Sequence, residues 1–202
     1  MTLRQIKSAS SLFALLLWLV APWAYGADDA AGLTEEHQSP GFAVLSASVR
    51  DIEGVVRLDA TFALRFGTTL EEALHNGVAL PLLIEIEVQQ QRNYRWSKTI
   101  AHVEQRYTLS FNALTKQYLL HNRNTDAQLR LPSFSAVKAV LGSLSKFPLL
   151  DRRLLKDGKE YVARLRITID SEQLPVPLRL MSYVSAEWDL QSEWYQWPLQ
   201  LR

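Results

Sequence analysis

An antiparallel β-sandwich is the fold class this sequence predicts, and two observations predict it. Apolar and polar residues alternate through several separate runs, and short turn signals rather than long helices separate those runs. Side chains on a strand point alternately to opposite faces, so each alternating run is a strand with one buried face. No strand–helix–strand rhythm appears. One-faced antiparallel strands in this number, seven or eight, must pack sheet on sheet or close on themselves. A sandwich of immunoglobulin-like shape, with two short connecting helices, is the expected arrangement. A half-open barrel is the alternative.

The strands follow in order. Val56, Leu58, Ala60, Phe62, Leu64 and Phe66 alternate with Arg57, Asp59, Thr61 and Arg65. Phe42 to Arg50 is the expected partner strand, joined through Asp51-Ile52-Glu53-Gly54, where Gly54 can take the positive φ that hairpin loops need. Thr69-Leu70-Glu71-Glu72 matches a capping box, with Asn76-Gly77 as the stop, so a helix of about two turns is expected there. Leu82, Ile84, Ile86 and Val88 alternate with Glu85, Glu87 and Gln89. Ala101 to Phe111 is a further strand, returning through Asn112-Ala113-Leu114-Thr115 into Lys116–Asn122. Gln128–Leu131 is a short edge piece. Ser133 caps a second helix carrying Phe134, Val137, Val140, Leu141 and Leu144 at helical spacing. Asp157-Gly158 is a hairpin signal. Tyr161, Ala163, Leu165, Ile167 and Ile169 form another strand, ended by Pro175 and Pro177. Trp194–Leu199 is a closing strand with Tyr195 and Trp197 facing inward.

The N-terminus reads as an export signal. Arg4 and Lys7 precede an uncharged apolar run from Leu12 to Ala21, and Ala24-Tyr25-Gly26 offers small residues for cleavage before Ala27. The expected organisation is a signal at residues 1–26, a polar disordered lead at 27–41 and one domain at 42–202. Periplasmic localisation follows, with an uncleaved inner-membrane anchor as the alternative. Removing Arg4 and Lys7 changes the formal net charge from +1 to −1. That balance offers no electrostatic case for nucleic acid. With no Cys, disulfides, lipidation and thiolate metal sites are excluded.

Candidate chemistry is sparse. Glu85 and Glu87 share one strand face at about 6.5–7 Å, within reach of the spacing used by inverting glycosidases. No residue pattern marks the pocket that would raise one carboxyl's pKa, so no catalytic residue is assigned. His37, His75, His102 and His121 show no helical ligand spacing. His102 and His121 could meet across strands, but no metal or other cofactor is assigned. Arg152, Arg153, Lys156, Lys159, Arg164 and Arg166 form a basic segment that suits acidic lipid head groups or an acidic partner. Trp188 and Trp194, with Arg179, form the candidate interaction surface. The same aromatics, as a ledge for glycan or lipid, carry the alternative reading.

Several stretches together resemble the proteobacterial family known as domain of unknown function 4390 (DUF4390). They are "TLEEALHNG" from Thr69, "VALPLLIEIEV", "YTLSFNALTKQYLL", Leu174-Pro175-x-Pro177, and the spacing Trp188-x-Leu190-x-Ser192-x-Trp194-x-x-Trp197. The family has an Asp before the first of these Trp residues, where this chain has Glu187. Its second helix is acidic, and here that pattern is absent. The resemblance implies a secreted, β-rich envelope protein. It also implies a gene neighbourhood with a membrane sensor kinase and its response regulator, and no active-site residue. The expected function is therefore non-enzymatic: an envelope protein-interaction module, with that sensor kinase as the candidate partner and peripheral membrane contact as a second candidate interaction.

Overall fold

The computed structural model describes residues 40–92, 96–185 and 187–200, without the side chains of 181–184. Residues 1–26, expected to be an export signal, nearly all of the polar lead and His37 lie outside the described residues. Two antiparallel sheets face each other as a sandwich. The smaller has strand order β1-β2-β7, formed by β1 (Gly41–Ile52), β2 (Val55–Arg65) and β7 (Ser143–Asp151). The larger has order β6-β5-β4-β3-β8-β9. It comprises β3 (Leu80–Gln90), β4 (Lys98–Asn112), β5 (Gln117–Asn122), β6 (Gln128–Leu131), β8 (Tyr161–Ile169) and β9 (Tyr195–Pro198). Three helices connect them: α1 (Thr68–His75), α2 (Phe134–Leu141) and α3 (Val176–Val184).

The alternation in the sequence places the core. Val56, Leu58, Ala60, Phe62 and Leu64 of β2 are buried, as are Leu82, Ile84, Ile86 and Val88 of β3 and Ala163, Leu165 and Ile167 of β8. Strand β1 keeps an inward face by means of a bulge between Val44 and Ser46. The inward positions shift there from Phe42 and Val44 to Ala47 and Val49, and Leu45 is left exposed. The turn to β2 is the two residues Glu53-Gly54, both at positive φ, tighter than the four-residue turn expected. A chain of aromatic contacts, Phe42–Phe66–Phe134–Tyr118–Phe111, runs from the smaller sheet through α2 to the larger one.

Several expectations are corrected. Thr69 does not cap α1: the cap is Gly67 at φ 77°, with no side-chain hydrogen bond. The Thr69 hydroxyl instead donates to the Glu187 carboxylate at 2.6 Å, so a contact distant in sequence takes the group that the capping box would use. The stop is as expected, because Gly77 at φ 86° lets the Val78 amide reach the Ala73 carbonyl and close a Schellman turn. Helix α2 has its Ser133 cap, whose hydroxyl accepts from the Ala136 amide, but it ends at Leu141. Leu144 belongs to β7, a strand not foreseen. Bulges break its pairing with β2, and Pro148 interrupts its apolar pattern, which an edge position tolerates. Asp157-Gly158 is a turn, not a hairpin, because β7 and β8 lie in different sheets. Pro175 and Pro177 do not simply end a strand. They open α3, where the first helical turn needs no amide proton, and the Pro175 carbonyl accepts from the Leu178 and Arg179 amides. The described residues thus hold nine strands and three helices instead of seven or eight strands and two helices.

Candidate functional site

The outward face of the larger sheet carries a dense polar network. Inward residues of β3 have even numbers, so Glu85 and Glu87 project outward. Register sets Glu85 beside Glu104 of β4 and Arg166 of β8, and Glu87 beside His102 and Arg164. Arg166 Nε donates to Glu85, and Arg164 Nη2 lies 2.7 Å from Glu87. His102 reaches both Glu87 and Glu104, at 3.5 and 3.2 Å. Arg106 donates to Glu104 and to Asp170, each at 2.6 Å. Trp194 covers the arginines: the guanidinium carbons of Arg164 and Arg166 lie 4.4 and 4.6 Å from its ring centroid, in cation–π range.

This wiring decides what the carboxylates can do. Burial opposes ionisation of Glu87, but hydrogen bonds from Arg164 and Gln89, with the charges of Arg164 and His102, outweigh it and lower its pKa. The His102 hydrogen bond, helped by Arg106, likewise holds Glu104 below the usual carboxylate range against the effect of burial. A general acid needs the opposite shift. Glu87 and Glu104 therefore lack the environment of a general acid. Glu85, His102 and Glu104 could each present a ligand atom within 4.8 Å of the others. However, Arg166 and Arg106 already engage both carboxylates, and a cation would enter against their charges.

His102 and His121 do not meet. His102 stands opposite Glu87, whereas His121 stands opposite Thr108, about 20 Å further along β4. His121 pairs with Asp126, and His75 with the Tyr118 hydroxyl. The basic segment also divides. Arg164 and Arg166 are committed to Glu87 and Glu85, Arg152 pairs with Asp51 and Asp157, and Arg153 pairs with Asp151.

Of the candidate interaction surface, Trp188 is corrected. It is 5% exposed and belongs to the core with Leu190. Trp194 is half-buried on the outer face, and Tyr195 and Trp197 face inward as expected. Arg179 on α3 donates to the Leu174 carbonyl. The Trp–Leu–Ser–Trp–Trp spacing has a physical cause. Trp188, Leu190 and Ser192 point inward at every second position, and the inward set then becomes Tyr195 and Trp197. At the change of phase, the Ser192 hydroxyl accepts from the Ile167 amide and the Ser192 amide donates to the Ile167 carbonyl. Sequence reasoning missed α3, where Val176 and Leu180 are exposed one helical turn apart. Their spacing of four was the available signal.

The chain has no match among curated proteins or solved structures. A family model described as Domain of unknown function (DUF4390) matches residues 39–198, which hold both sheets, the arginine–carboxylate ladder and the Trp188–Trp197 spacing, and the chain belongs to that family.

Proposed function

We propose that this protein is exported to the periplasm and works without catalysis, by binding a protein partner of the cell envelope. The observation that carries this reading is the exposed apolar face of α3. Val176 and Leu180 are 67% and 63% exposed. Four residues apart on a helix, they lie on one face. The same segment is held from behind by buried Leu174 and by Leu178 packed on the core. Apolar side chains on a rigid support, with Arg179 between them, suit a protein surface, since binding then costs little ordering. The hydrogen bonds and charges that lower the pKa of Glu87 and Glu104 favour a structural rather than a proton-transferring role for those two groups on the outer sheet face. The charged and apolar pattern of residues 1–26 supports export, and a membrane sensor kinase is a partner consistent with the family's gene neighbourhood.

Crosslinking in intact cells tests the reading. The parent protein should give a reproducible adduct with an envelope protein. Val176→Asp with Leu180→Asp should remove that adduct while leaving thermal unfolding unchanged. Failure of the parent to form any adduct, or an undiminished adduct from the double variant, would overturn it.

A further inference from the structure

One end of the larger sheet has a different character from its face. A cavity of about 1020 Å³ opens where β3 ends and where β4 and β8 begin, and Arg92, Lys98, Arg153, Lys156 and Lys159 line it against one carboxylate, Glu160. The other acids at this end are partly spent: Asp51 and Asp157 on Arg152, and Asp151 on Arg153, with Glu53 remaining on the β1–β2 turn. Arg92, Lys98, Lys156 and Lys159 make no ion pair among the described residues, and all four are exposed. Two apolar side chains accompany them. Trp96, two residues before Lys98, is 95% exposed, and Leu154, in the cavity wall, is 52% exposed.

We propose that this basic end, with Trp96 and Leu154, is a docking surface for an anionic lipid bilayer. The occupant follows from the combination. Clustered unpaired lysines attract a negative head-group layer, and they do so as flexible point charges that need no fixed geometry. An indole that is 95% exposed buries almost none of its surface in the fold. At the head-group level, however, its ring enters the apolar boundary while its N–H stays hydrated. An acidic protein would satisfy the lysines but leave Trp96 and Leu154 without a reason to be exposed together. The residues are distinct from those of α3, so either proposal can fail alone.

The test uses the full chain throughout, so any contribution of the apolar N-terminal run is common to every variant. Sedimentation with vesicles containing about 30% phosphatidylglycerol in phosphatidylcholine should show at least about tenfold tighter binding than with phosphatidylcholine alone. That increment should vanish at about 0.5 M salt. Lys156→Glu with Lys159→Glu should abolish it, and Lys98→Glu, on a different element, should weaken it severalfold. Trp96→Ala should weaken binding and remove a lipid-induced blue shift of fluorescence. All these side chains are exposed, so thermal unfolding should not change. Equal binding of the parent to both vesicle types, or charge-reversed variants that bind like the parent, would overturn the proposal. Loss of binding to soluble polyglutamate, with no lipid increment to lose, would assign the surface to an acidic chain instead.

Discussion

Arg166 and Glu85 show how one side chain can be indispensable without being catalytic. The Glu85 side chain is 11% exposed, and Arg166 is the guanidinium that answers its charge, with Trp194 over that guanidinium. Arg166→Met would leave a buried carboxylate uncompensated. Removing one partner of a fully buried pair costs about 3–5 kcal/mol. Arg166 keeps some exposure, so a loss of about 2 kcal/mol is expected. Adding Glu85→Leu should recover most of it, because a well-packed apolar pair can match a buried ion pair. Urea denaturation of the two variants measures both numbers, and a double variant no more stable than Arg166→Met would refute the pairing. The outward placement of Glu85, Glu87, Arg164 and Arg166 was legible from strand alternation alone. Their partnership was not, because it depends on the register between β3 and β8, which lie far apart in sequence.

At the scale of elements, the strands were legible and the irregular pieces were not. β2 and β8 bury every second residue, and β3 and β4 alternate apolar with polar residues over much of their length, so all four leave a period-two trace in the sequence. β7 leaves none, because its bulges and Pro148 break the period, and its sheet partner is set by tertiary contacts. α3 was hidden because prolines read as a stop, although Pro177 sits in a first turn that has no amide to lose. α1 was placed correctly but with the wrong cap. Its two threonine–glutamate assignments now separate experimentally. Thr69→Val should cost about 1 kcal/mol through the lost bond to Glu187, whereas Glu72→Ala should stay within about 0.5 kcal/mol, since no cap depends on it. Thermal melts of both variants decide it, and a loss of about 1 kcal/mol from Glu72→Ala as well would restore the capping box.

For the whole molecule, the last segment is where reading by pattern was most divided. The alternation correctly turned Tyr195 and Trp197 inward, yet it could not show that Trp188 enters the core before the phase change at Ser192. The consequence for stability is asymmetric. Trp188→Ala should cost about 3–5 kcal/mol, as a large buried side chain does. Trp194→Ala, half-buried over two arginines, should cost less than about 1.5 kcal/mol. Denaturant midpoints compare them directly, and equal losses would count against this division of the segment. The arginine–carboxylate ladder also bears on how the chain finds its pairing at all. A slip of one residue between β3 and β8 is forbidden by hydrophobicity, because it would turn Glu85 and Glu87 into the aliphatic interior. A slip of two residues keeps every apolar side chain inward, and burial alone would tolerate it. It would, however, set Glu85 opposite Arg164 and leave Glu87 facing Val162, or set Glu87 opposite Arg166 and leave Glu85 facing Thr168. Two charges spaced two apart on each strand thus work as a vernier, rejecting during folding the one misalignment that greasy contacts cannot detect.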